Sequence, residues 1–269
     1  MFSAKTCLIF VLIFVFHSLE SQDISNPLKG SLFFHWGWNR AEYSRSDLHF
    51  KGPHHDFTLY NVQATDRQTK FNWDTYFNPG TLTTPQYNFR LGYFLSNKYS
   101  ISVGLDHMKY VMLQDQLVSI KGNISASSKF DGNYNGQLIS LSTEFLKFEH
   151  TNGLNYLNTE VRRFDPLFIK SHFELHVVTG LGAGVLIPKT DATLLNYKEN
   201  DQFHLSGLGL SASAGLNITF FKHFFIQSEI KGGMINMPDI RTTMSAIDKA
   251  DQRFWFAQLN AILGASIKL

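Results

Sequence analysis

FWFAQLNAILGASIKL, Phe254 to Leu269, is the stretch on which the reading of this chain turns. Trp255, Ala257, Leu259, Ala261, Leu263, Ala265, Ile267 and Leu269 share one parity, while Gln258, Asn260, Gly264, Ser266 and Lys268 fall on the other. Successive side chains of a β-strand point to opposite faces, so a period of two describes a strand with one apolar and one polar side.

The design recurs upstream. HFELHVVTGLGAGVLI (172–187) sets Phe173, Leu175, Val177, Thr179, Leu181, Ala183, Val185 and Ile187 against Glu174, His176, Gly180, Gly182 and Gly184. FHLSGLGLSASAGLNITF (203–220) sets Leu208, Leu210, Ala212, Ala214, Leu216, Ile218 and Phe220 against Gly207, Gly209, Ser211, Ser213, Gly215, Asn217 and Thr219. A soluble sheet more often carries long charged side chains on its wet face. Gly and Ser there suit a crowded, curved interior, where strand glycines also ease bending. Similar alternation runs through 32–38, 87–95, 99–105, 139–145, 157–161 and 224–234, and in its weakest form through 118–124.

The connections fall into two kinds. Residues 95–99 and 220–223 are tight, whereas 46–84, 188–202 and 238–252 are long and polar. Short turns on one side and long loops on the other are the plan of a transmembrane β-barrel, with periplasmic turns and extracellular loops. Closure leaves no sheet edge to expose unpaired N–H and C=O groups to hydrocarbon. The expected fold is therefore all-β, an antiparallel transmembrane barrel of ten strands or, alternatively, eight.

Both termini of such a barrel lie in the periplasm, so the strand number is even. Counting 118–124 yields ten; eight requires that 118–124 and 154–164 both leave the wall. Ten is preferred because Leu154 to Phe164 alternates well. Tyr93, Tyr99, Phe220, Phe221, Phe224 and Phe225 are expected to form an aromatic girdle at the turn end, with Trp36, Trp38 and Trp255 at the other. A secreted sandwich or lipocalin-like barrel also alternates, but keeps its apolar face inward.

Composition narrows the classes. Twenty-five Phe and ten Tyr accompany a mean hydropathy of only -0.13, unlike a bundle of membrane helices. Past residue 22 no apolar run approaches the roughly 18 residues of a membrane helix. A formal charge of +2, with Lys and Arg scattered, argues against nucleic-acid binding, which needs a basic patch or stripe. At the N-terminus, MFSAKTCLIFVLIFVFHSLES places Lys5 before the apolar run Cys7 to Phe16 and ends on the small Ser21, the layout of a secretory leader. The expected organisation is a signal peptide over 1–21, cleaved near Ser21/Gln22, and one barrel domain over 22–269. Cys7, the single cysteine, leaves with the leader, so the exported domain has no disulfide and relies on hydrogen bonds and packing.

On these residues the mature chain resembles, over essentially its whole length, the outer-membrane β-barrel proteins of Gram-negative bacteria. The opening SLFFHWGWNRAEYSRSDLHFKG (31–52), with Gln22 after the expected cleavage site, resembles barrels of Bacteroidota. The resemblance implies a monomer in the outer membrane, in contact with its lipid and lipopolysaccharide, assembled by the outer-membrane insertion machinery and needing no cofactor. In one respect the chain departs from that pattern: such barrels commonly end on an aromatic residue read by that machinery, and this chain ends on Leu269.

Candidate functional residues follow from parity. Arg90, Asp106, Glu144, His176, Glu229 and Lys231 stand on the inward side. An isolated charge away from water is costly, so charges of both signs in a narrow barrel should pair. The expectation is a polar network filling the lumen, and otherwise a very narrow pore or a binding site at its mouth. The expected role is non-enzymatic: structural, adhesive or ligand-binding through the loops.

The competing reading is an outer-leaflet hydrolase. FEHTNGLNYLNTEVRRF (148–164), with His150, Asn152 and Glu160, resembles the lipid A deacylase barrels, whose motif is His, any residue, Ser, Asn, with a Glu further along. A His base needs a nucleophile within hydrogen-bond reach and a carboxylate to orient it. Here Asn152 stands where that family has Ser, Thr151 faces the other side of a strand, and Asn152-Gly153 reads as a turn dipeptide. Asp106-His107 and His54-His55-Asp56 are set against the acidic and His-Asp pairs of ten-stranded outer-membrane proteases, yet adjacent strand residues face opposite ways. Two His and an Asp in a loop are more often solvated than metal-bound, and no metal site is expected. GLGAGV (180–185) lies in a strand with no helix after it, so it is not a phosphate loop.

Overall fold

Every strand pairing among the described residues of the computed structural model, 28–195, 197 and 200–269, is antiparallel. The leader expected over 1–21 and its cleavage site lie outside the described residues.

The chain enters β1 (Ser31–Tyr43) and continues after two residues into β2 (Ser46–Gly52), then β3 (His55–Val62) and the short β4 (Ala64–Thr65). A single-turn helix, α1 (Trp73–Phe77), precedes β5 (Tyr87–Phe94) and β6 (Tyr99–Met112). The hairpin β7 (Leu117–Ile124) and β8 (Gly132–Ser140) leads into the long β9 (Leu146–Lys170), which turns back as β10 (Phe173–Leu186). After β11 (Asp191–Leu194) come β12 (Gly207–Phe220), β13 (Phe224–Arg241) and β14 (Lys249–Lys268).

Eight of these strands close on themselves in the order β1-β5-β6-β9-β10-β12-β13-β14, with β14 returning to β1. Trp38, for example, faces Tyr87 on one side and Ala261 on the other. The ring therefore has no edge, and its backbone polar groups are satisfied within the wall. Three tight turns, at 95–98, 171–172 and 221–223, share one end of the ring with the pairing of Ser31 and Lys268. The connections at the other end are longer.

The ring thus holds eight strands rather than ten, and not the eight that sequence suggested. Leu154 to Phe164 stays in the wall as part of β9. Residues 118–124 and most of 139–145 leave it, because β7 pairs with β3 and β8 instead of with ring strands. The cause lies at Ser44–Arg45, where the wall strand breaks. Tyr43 faces Phe256, and beyond the break Leu48 faces Gln252 and Phe50 faces Ala250. So β2 prolongs β1 along β14, and β3, β7 and β8 extend the sheet sideways from it.

Parity sorts the side chains as the alternation requires. Phe34, Leu91, Val103, Leu181, Leu210, Ile230 and Leu259 are exposed on the outer face of the ring. Their neighbours Arg90, Ser102, Ser211, Glu229 and Asn260 are buried inside. This inverts a soluble barrel, in which apolar side chains fill the interior.

The lumen is apolar near both ends. By the short turns, Phe33, Phe94, Phe164, Val178, Phe225 and Ile262 pack together. Phe225 therefore does not join the outward girdle expected of it, since it lies on the opposite parity to the exposed Phe224. At the other end the long connections build a core of their own, including Phe50, Phe57, Tyr110, Phe148 and Phe254. The polar loops expected there are instead a packed cap.

Candidate functional site

Between the two apolar plugs lies a belt of charge. Arg90 comes from β5, Asp106 from β6, Glu160 and Arg162 from β9, and Glu229 and Lys231 from β13, all inward and buried. Glu160 is the hub. Its Oε1 accepts from Arg90 Nη2 at 2.8 Å and Lys231 Nζ at 2.6 Å, and its Oε2 from Arg162 Nε at 2.6 Å. Arg162 also holds Glu229, with Nη1 2.7 Å from Oε2. Lys231 bonds Asp106 as well, whose Oδ2 accepts from Asn158 Nδ2 at 2.8 Å.

Three cations thus face three carboxylates, a neutral set. Amides complete it: Gln227 Nε2 donates to Glu229 at 2.9 Å and Asn260 Nδ2 at 3.2 Å. Buried charges are tolerable when paired and hydrogen-bonded in this manner. Room for the long side chains comes from the small residues opposite. A Cβ at Gly182 would lie 2.8 Å from Glu160 Cγ and 2.7 Å from Ser211 Oγ.

Four of the six inward candidates, Arg90, Asp106, Glu229 and Lys231, meet in this network. His176 lies toward the turn end, 4.0 Å from Glu174, beside a cavity of about 20 Å³ also bordered by His35, Arg162 and Asn217. That is room for a single water. Glu144 is elsewhere, its side chain 63% exposed and paired with Lys129. The chain turns at Ser142–Leu146, where Phe145 N donates to Ser142 O at 3.0 Å, so strand parity does not reach Glu144. Arg162 escaped the sequence reading although its signal was present: it stands two residues from Glu160, on the same face.

The hydrolase arrangement does not assemble. His150 and Glu160 lie on one strand opposite Tyr110 and Ser102 of β6, which puts them about 26 Å apart at the usual rise. His150 Nδ1 lies 3.0 Å from Thr190 Oγ1, its ring is wedged against Phe148 and Tyr110, and its buried Nε2 has no hydrogen-bond partner among the described residues. Glu160 is committed to three cations. Thr151 turns away and donates to Glu149 at 3.1 Å. Asn152-Gly153 is not a hairpin turn either. It forms a bulge within β9, where the register against β6 shifts and Gly153 takes a φ of 127°, a left-handed value that favours glycine.

Asp106 and His107 point apart, as neighbours in a strand must. Asp106 enters the network, while His107 stacks on Tyr87 at 4.9 Å and bonds Asn155 at 2.9 Å. In the cap, His49 Nε2 meets Asp56 Oδ1 at 2.8 Å. His55 turns into the cap core, and burial pushes its ring below the usual histidine range against the opposing pull of Asp248 and Asp56.

No protein-family model and no curated protein sequence matches the chain. Among solved structures it is similar to Neisserial surface protein A, at 8% identity over 91% of this chain and 100% of that one, with a TM-score of 0.36. It is similar to the outer membrane protease OmpT of Escherichia coli, at 6% identity, 92% and 100% coverage and a TM-score of 0.31. A third is Ail, the attachment invasion locus protein of Yersinia pestis, solved with the heparin analogue sucrose octasulfate, at 10% identity, 87% and 99% coverage and a TM-score of 0.26. These solved structures are outer-membrane β-barrel proteins of Gram-negative bacteria.

Proposed function

We propose that this chain, exported by its leader over 1–21, inserts residues 22–269 in the outer membrane as a monomeric, non-conducting eight-stranded barrel. Its work is done by the cap, which serves as a rigid adhesive or ligand-binding platform outside the cell. The turn end faces the periplasm, and lipid and lipopolysaccharide surround the wall after assembly by the insertion machinery. The observation that carries this reading is the neutral six-residue ion network, sealed between Phe33, Phe94 and Phe225 on one side and the cap core on the other. A lumen of eight strands is narrow enough for side chains to fill, and no excess charge attracts a permeant ion. The outer-leaflet hydrolase is disfavoured by the distance between His150 and Glu160.

Planar-bilayer recording tests the closed barrel. The reconstituted protein should migrate faster unheated than boiled on a gel and should pass no steady current. Sustained unitary conductance from the heat-modifiable form would refute the sealed lumen, and migration as a detergent-independent soluble protein would refute the membrane reading itself.

A further inference from the structure

The outward residues of β1 run Leu32, Phe34, Trp36 and Trp38, and then change to Arg40 and Glu42. Trp36 stacks on Tyr87 at 4.7 Å and Phe89 at 6.3 Å. Trp38 is therefore the last apolar step of β1 on the outer face, level with Tyr87 at the start of β5, while the neighbouring β14 carries Leu259 and Trp255 further. Against Trp38 lies α1, with the ring of Phe77 5.2 Å and that of Tyr76 6.0 Å from its indole. The rings continue outward, Trp73 on Phe77 at 5.1 Å and Phe71 on Trp73 at 5.4 Å. No residue of the helix is buried, with Trp73 72% and Phe77 48% exposed, and Phe71 just before it is 64% exposed.

The segment is held in this posture. Asn72 caps the helix through Asp74 N at 2.9 Å, Tyr76 Oη donates to Thr69 O at 2.8 Å, and Thr81 Oγ1 donates to Asp74 O at 2.8 Å. Its ends are tied to the rim, where Ala41 N donates to Asp66 at 2.9 Å, Arg67 bonds Glu149 at 2.8 Å and Gln68 bonds Gln86 at 2.7 Å. A contiguous exposed apolar patch marks an interaction surface. Trp and Tyr with Phe, placed where an apolar wall gives way to charge, match the chemistry of the membrane–water interface.

We infer that α1 is a membrane foot: Phe71, Trp73 and Phe77 insert into the outer leaflet beside Trp38 and lock the cap at a fixed height and tilt. This rests on the reading of the outer wall as lipid-facing. Lipid is the occupant the observations favour, because the aromatic chain is continuous with that wall rather than isolated on the cap.

Nitroxide labels test it in a Cys7→Ser background, attached in separate proteins at Trp73→Cys and Phe71→Cys, with Leu210→Cys on the wall and Leu138→Cys on β8 as references. In phosphatidylcholine vesicles, oxygen should relax the labels at 71, 73 and 210 several-fold more than a water-soluble nickel chelate does. At 138 the order should reverse. If 210 reads as lipid while 71 and 73 follow 138, the foot is wrong and the barrel stands. Should 210 also read as water, the wall assignment fails with it. Spin–spin broadening at 71 and 73 would assign the patch to a second copy and overturn the proposal.

Discussion

Arg162 and Glu229 grip each other across the lumen through two bonds, Nη1 to Oε2 at 2.7 Å and Nη2 to Oε1 at 3.2 Å. Their strands, β9 and β13, are not neighbours, since β10 and β12 stand between them in the wall. The fork therefore ties one side of the ring to another, a job that ladder hydrogen bonds between adjacent strands do not perform. Glu229→Leu leaves a guanidinium buried with one anion fewer. Removing one partner of a buried pair costs about 3–5 kcal/mol. We expect a loss of that size in urea unfolding of the reconstituted protein, largely recovered in the double variant Arg162→Met/Glu229→Leu. A loss in the double variant equal to the sum of the losses of Arg162→Met and Glu229→Leu measured singly would show that the pair is not coupled.

Gly182 should not tolerate a side chain. Its missing Cβ leaves the space used by Glu160 and Ser211, so Gly182→Val crowds the hub of the network. Overpacking costs about 1–3 kcal/mol, and the displaced carboxylate loses bonds besides. The expected outcome is a reduced fraction of the heat-modifiable form in membranes, read by gel shift, with Ala183→Val on the outer face as the tolerated control.

The cap should loosen in mild acid. Burial depresses the pKa of His55, so the neutral ring is the form the folded cap favours. A histidine so depressed contributes full stability above its ordinary pKa of about 6.5, and that contribution is lost as pH falls through it toward the folded value. Hydrogen exchange at β3 and β7 amides, corrected for intrinsic rates, should show lower protection at pH 5 than at pH 7.5. His55→Leu should flatten that difference, and an unchanged slope would point to another group.

His150 should prove to be a packing residue. Its ring sits among Phe148 and Tyr110 with a single hydroxyl partner, so His150→Leu is expected to fold with a stability change under about 2 kcal/mol. Mass spectrometry of lipid A from cells with the protein, with the variant and without either should give the same acyl count. A count that drops only with the wild-type protein would restore the hydrolase.

Much of the wall was legible in the chain. Leu208 to Phe220 and Trp255 to Ile267 present their apolar parity outward as the alternation requires, and the turns at 95–98 and 221–223 fall where tight connections were expected. The tight turn at Phe221 and Lys222 uses positive φ values of 50° and 68° with neither glycine nor asparagine, so turn chemistry alone does not reveal its form. Glu144 was misplaced because 139–145 alternates like a strand, whereas the chain turns there. Phe225 was misplaced because aromatic residues at a strand end were read by position and not by parity.

A period of two is a local property. It tells which side chains share a face, and the sequence alone therefore pointed to a two-faced, antiparallel wall with an apolar outside and Arg90, Asp106, Glu229 and Lys231 on its inward side, while Glu160 and Arg162 joined that set only in the structure. It carries no label for the partner strand. That β7 joins β3 and not the ring, that Arg162 reaches Glu229 across the lumen, and that the long connections condense into a cap with a foot at Trp38 were decided only by tertiary structure. Those choices depend on hydrogen-bond register and packing between segments far apart in the chain, where the free energy of a pairing belongs to both partners together.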